Sequence, residues 1–101
     1  MGNANFTKMD IKVAIFEDGK LIRDALQTIL NGTSGYVCTG TFSNGNNWEA
    51  DIRRSQPDVV LMDIEMPGMD GIQLTRLITR KFENIKVLIQ TVFDDGTKIF
   101  N

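Results

Sequence analysis

Four short apolar runs alternate with stretches whose apolar residues recur at helical spacing, and no other feature of the chain narrows its possible folds so far. The runs are "IKVAIF" (11–16), "YVCTGTF" (36–42), "VVLM" (59–62) and "IKVLIQT" (85–91), rich in the β-branched residues that favour strands. Between the first two, Leu21/Ile22, Ala25/Leu26 and Ile29/Leu30 repeat every four residues and mark the apolar stripe of a helix. "NGTSG" (31–35) stops that helix and turns the chain. Gly40 weakens the second strand. Asn46 with Glu49 resembles a capping box that opens a short helix through Trp48 and Ile52, which Pro57 closes. Asp70 with Gln73 caps a third helix, "GIQLTRLITRKF", with Leu74, Leu77 and Ile78 inward. The uninterrupted apolarity of "VVLM" suits a parallel strand covered on both faces. The order β-α-β-α-β-α-β implies a doubly wound parallel sheet with right-handed crossovers and helices on both faces. Ligands of such sheets bind beyond the carboxyl ends of the strands.

Composition removes several classes of function. The 101 residues suffice for one small domain, and 42% hydrophobic with 24% charged residues is ordinary for a globular protein. A net charge of −2 speaks against a nucleic-acid or membrane surface on this segment. No apolar run approaches the roughly 20 residues that span a bilayer. With no His, imidazole catalysis and most transition-metal sites are excluded. The single Cys38 cannot form an internal disulfide, which fits a reducing cytoplasm. Neither Gly-rich nucleotide fingerprint is present. Residues 1–9 read as a polar lead-in, and "MGNANFT" lacks the Ser or Thr of a myristoylation signal where Phe6 stands.

The chemistry lies at the strand ends. The first strand runs into Glu17 and Asp18, the third into Asp63 and the fourth into Thr91. If the first and third strands are neighbours, three carboxylates converge at one edge of the sheet. At about 4 Å one such pair repels by roughly 4 kcal/mol at an effective dielectric near 20. Either a proton is taken up or a divalent cation neutralises the cluster, and an all-oxygen donor set favours a hard ion such as Mg²⁺. A buried strand would then present Asp63 rigidly to a metal and to an incoming electrophile. Carboxylates that accept a phosphoryl group are an established nucleophile class. The plainer readings are that Glu17 and Asp18 are helix-entry charges and that "MPG" is a simple turn. Asp70 reads as a cap rather than a ligand, and Met62, Met66 and Met69 as packing or a partner surface.

The acidic pair Glu17-Asp18, the stretch "DIEMPGMDG" from Asp63, and Thr91 together resemble the receiver domain of two-component response regulators. The resemblance covers residues 10–101. "IFEDGKLIRDAL" and "VLIQTVFDD" are similar to receivers that precede a LuxR-type helix-turn-helix. It implies a flavodoxin-like sheet in the order 2-1-3-4-5, with the family's fifth strand and last helix falling beyond Asn101. The domain is expected to be C-terminally incomplete, with strand four an open apolar edge available for pairing. The family implies that Asp63 accepts phosphate from the phosphohistidine of a sensor histidine kinase or phosphotransfer protein. It implies Mg²⁺ held directly by Asp18 and Asp63, by Glu17 through water and by the Glu65 backbone carbonyl. Thr91 would contact the phosphoryl oxygens and act as the switch. Phosphorylation would drive a homodimer or release a DNA-binding effector that lies outside this chain, without turnover catalysis. The family's Lys follows the fifth strand and its aromatic switch residue lies within that strand, and Lys98 lies too early to be that Lys. Two other classes compete. One is a receiver-like adaptor that works without phosphorylation. The other is an Asp-nucleophile phosphatase of the haloacid-dehalogenase type, which Pro67 disfavours because that motif wants Thr there.

Overall fold

The computed structural model describes residues 9–90; Thr91, the expected helix caps Asp94 and Asp95, and Lys98 lie outside them. Four strands and three helices alternate: β1 (Ile11–Phe16), α1 (Lys20–Asn31), β2 (Tyr36–Phe42), α2 (Trp48–Ser55), β3 (Val59–Asp63), α3 (Gly71–Lys81) and β4 (Lys86–Gln90). The strands form one sheet in the order β2-β1-β3-β4, every pair parallel, as the alternation of patterns requires. This is the doubly wound, flavodoxin-like arrangement.

Strand alternation sends Ala14, Phe16, Val60 and Met62 to one face, where Ile52 of α2 and Leu74 and Ile78 of α3 close a fully buried core. Each buried Leu or Ile side chain there contributes about 1.5–3 kcal/mol relative to exposure. The Phe16 and Phe42 rings pack with centroids 5.0 Å apart. Trp48 packs edge-on against Phe82 at 6.4 Å, and the Arg53 guanidinium covers the same ring at 5.2 Å, which ties α2 to the end of α3. Met62 and Met66 are buried in this core and Met69 packs against it, so the methionines serve packing. Val13 and Ile15, buried on the opposite face, sit under α1. That helix buries no residue completely: Ile22, Leu26 and Leu30 are half-buried, while Leu21 and Ile29 are exposed.

The structure corrects the start of α2. The cap is Asn47, not Asn46, and its side chain makes no capping hydrogen bond. The Asn46 N–H instead donates to Asn44 Oδ1 in a tight local turn. Glu49, the expected second half of the box, binds Arg53 and Lys81. Acidic residues in the first turn and Arg53 and Arg54 in the last still oppose the helix dipole with the right sign. The helix ends at Ser55, two residues before Pro57, and its C-cap Gln56 takes the left-handed conformation with φ of 45°. α3 does start on a side-chain cap, Asp70 Oδ1 accepting from the Gln73 N–H at 2.9 Å. Gly40 marks a bulge in β2: Val13 pairs with Cys38 but Ala14 with Gly40, leaving Thr39 as the extra residue. A side chain at Gly40 would strike the Phe42 ring at 2.6 Å.

Candidate functional site

Because β1, β3 and β4 run parallel, their carboxyl ends meet at one edge of the sheet. Phe16 pairs with Met62, so the next residue, Glu17, falls beside Asp63, and Asp63 pairs with Gln90. Oxygens of Glu17, Asp18 and Asp63 all lie within 4.8 Å of one another. Glu17 and Asp63 are 4% and 9% exposed, whereas Asp18 faces solvent. The cluster is therefore open on one side only.

The chain around each acidic residue is anchored. The Glu17 N–H donates to the Phe42 carbonyl at 2.9 Å, tying the end of β1 to β2. Glu17 Oε2 accepts the Gly19 N–H at 2.9 Å, which closes the turn into α1 around the acidic pair. Arg23, on the first turns of α1, donates to the carbonyls of Glu17 and Asp18 at 2.8 and 3.3 Å. Asp63 Oδ1 accepts the Glu65 N–H at 3.1 Å. Beyond it the chain turns at Gly68, whose φ of +80° suits glycine, and Met66 anchors the loop in the core. The Gly71 N–H returns to the Ile64 carbonyl at 2.8 Å, and its Cα lies so close under the Asp63 carbonyl that a Cβ could not be accommodated. The loop is thus closed at both ends.

This crowding raises the Asp63 carboxyl to about 6, first through burial and then through the neighbouring Asp18 and Glu17, against the opposing Glu65 N–H. At 4.8 Å two full charges repel by about 3–4 kcal/mol at an effective dielectric of about 20. Three oxygens of hard-ligand type, crowded and short of positive charge, fit a small divalent cation such as Mg²⁺. Asp70 is engaged as the α3 cap and stands apart from the cluster, as its spacing indicates.

The sequence matches the response regulator receiver domain over residues 13–100. The chain belongs to that family. This receiver is 31% identical over 93 residues to the uncharacterized transcriptional regulatory protein YxjL of Bacillus subtilis, covering 92% of this chain and 43% of that protein. It is 41% identical over 83 residues to the DNA-binding transcriptional regulator NtrC of Salmonella typhimurium, covering 82% of this chain and 17% of NtrC. Among solved structures it is similar to a DNA-binding response regulator of the LuxR family from Staphylococcus aureus. The TM-score is 0.73 at 31% identity, over 89% of this chain and 75% of that one. The chain spans less than half the length of either regulator named first.

The structure brings Glu17, Asp18 and Asp63 together at the carboxyl edge of the sheet. It sets Glu65 beside them through its N–H, with its side chain exposed, while Thr91 lies outside the described residues. Two residues that touch this cluster were not singled out in the sequence, Arg23 and Gln90. Arg23 reads there as one more polar residue beside an apolar stripe. Gln90 carried a signal, since it ends "VLIQ" on an apolar run much as Asp63 ends "VVLMD". Among the described residues no helix is long and apolar enough to cross a membrane.

Proposed function

We propose that this receiver accepts a phosphoryl group on Asp63 from the phosphohistidine of a sensor histidine kinase or phosphotransfer protein, and that the modification switches a DNA-binding output. The observation that carries this reading is the convergence of three carboxylates around an aspartate at the end of a buried strand. An ionised Asp63 oxygen attacks phosphorus, the new O–P bond forms as the N–P bond breaks, and the imidazole nitrogen leaves with the electron pair. Asp18 and Asp63 would hold Mg²⁺ directly, with Glu17 acting through water and Glu65 through its carbonyl. The bound ion supplies charge screening for the phosphoryl oxygens. A cation there would also favour the ionised, nucleophilic form of Asp63, whose carboxyl is otherwise raised to about 6 by burial and its acidic neighbours.

Thr91 follows the end of β4, next to Gln90, and in this reading its hydroxyl binds the phosphoryl oxygens. The added charge of about −1.5 to −2 then biases the segment after β4. Relatives that are transcriptional regulators support a DNA-binding effector as the output. The chain acts as a switch and not as a turnover enzyme.

Incubation with phosphoramidate and Mg²⁺, followed by intact-mass measurement, tests the reading. One phosphoryl group should be gained by the chain and none by Asp63→Asn. A modification that persists in Asp63→Asn overturns the assignment.

A further inference from the structure

We infer that Gln90 is a positioning residue of the acidic cluster, holding the Glu17 carboxylate in place from the far side of Asp63. Three of the anchors on Glu17 come from its own main-chain surroundings: the Phe42 carbonyl, the Gly19 N–H and the Arg23 contact to its carbonyl. The fourth is different in kind. Gln90 Nε2, from a strand 73 residues away, donates to Glu17 Oε1 at 3.4 Å. Oε2 is already engaged by Gly19, so this amide fixes the second oxygen and with it the rotation of the carboxylate.

The residue type matters as much as the position. A Lys or Arg at the end of β4 would also hold Glu17, but its charge would neutralise the cluster and compete with a cation. An amide orients the carboxylate and leaves the full negative charge available. Gln90 pairs with Asp63 across β3 and β4, so its side chain leaves the sheet at the same level as the acceptor. Burial keeps water from replacing the bond readily, since Glu17 is 4% exposed.

The inference rests on the reading of the cluster as a Mg²⁺ site. Outer partners of metal ligands typically change affinity by 10–100-fold, and a bond as long as this one places the loss at about tenfold. Calorimetric titration of the chain with Mg²⁺ should show that loss in Gln90→Leu, with the melting temperature in EDTA unchanged. In a Glu17→Ala background the same substitution should have no further effect. In the unsubstituted chain, the NMR resonances of the Gln90 side-chain amide should shift when Mg²⁺ is added, a readout independent of how the variant folds. Undiminished affinity in Gln90→Leu, an equal loss with and without Glu17, or amide resonances indifferent to Mg²⁺ would each overturn the inference. A chain that binds no Mg²⁺ at all would remove the underlying reading as well.

Discussion

Replacing Asp63 by Asn should make the metal-free domain more stable at neutral pH, although it removes the proposed acceptor. The Asp63 carboxyl stands at about 6 against an ordinary 3.8. Two pH units at about 1.4 kcal/mol each set a ceiling of about 3 kcal/mol for ionising it in the folded state, which solvent screening on the open side roughly halves. The sign follows from the direction of the shift. The folded state binds the proton more tightly than the unfolded chain, so stability from this group is complete below about pH 4 and is lost as pH rises through 6. At pH 7 the whole penalty is present. Asn matches the shape of Asp and can still accept the Glu65 N–H, so little else is disturbed. Urea unfolding in EDTA at pH 7 should show Asp63→Asn more stable by about 1–2 kcal/mol, roughly 5–10 °C in melting temperature for a domain of this size. The advantage should be mostly gone at pH 4, and saturating Mg²⁺ should narrow it at pH 7 by stabilising only the native chain. An Asn variant no more stable at pH 7, or equally favoured at both pH values, would refute the reasoning.

Gly71→Ala should destabilise the chain by at least the 1–3 kcal/mol typical of overpacking, because the new methyl meets the backbone of Asp63 and Ile64 rather than a side chain that can turn away. Its Mg²⁺ affinity, read by the same calorimetry, should fall too, since the acceptor strand must shift. Asp70→Ala should cost about 1 kcal/mol in urea unfolding through the lost cap on α3, with Mg²⁺ binding nearly intact.

Much of this architecture is legible in the chain because its strands and helices carry different periods. "VVLM" and "IKVAIF" cannot be read as amphipathic helices, and the stripe from Leu21 to Leu30 cannot be read as a strand. Asp63, Glu17 and Asp18 were legible because an acid at the end of an apolar strand conflicts with burial and so calls for a function. The bulge at Thr39 left no such conflict, and only the pairing with β1 reveals it. The start of α2 was misplaced by one residue because Asn44, Asn46 and Asn47 are all competent turn formers, and spacing alone cannot choose among them. Arg23 and Gln90 escaped for a related reason. Their partners are a carbonyl and a carboxylate reached through tertiary geometry, which no local pattern encodes.

The unequal cover on the two sheet faces divides the molecule into parts that open on different timescales. α3 is locked by Leu74 and Ile78, fully buried, and its amides can exchange with solvent only when the core itself comes apart. α1 has no such lock: Leu21 and Ile29 are 86% and 61% exposed, and its inward residues are only half covered. Among the described helices it gives up the least fully buried surface on detaching, so its amides should exchange ahead of those of α3. Arg23 travels with that helix, so each excursion of α1 releases the carbonyls of Glu17 and Asp18 from their guanidinium. Glu17 and Asp63 stand at the ends of the buried strands β1 and β3 and do not travel with it. The acidic centre is therefore built across a kinetic boundary, with its buried carboxylates on the sheet that persists and the guanidinium that clasps their turn on the helix that breathes.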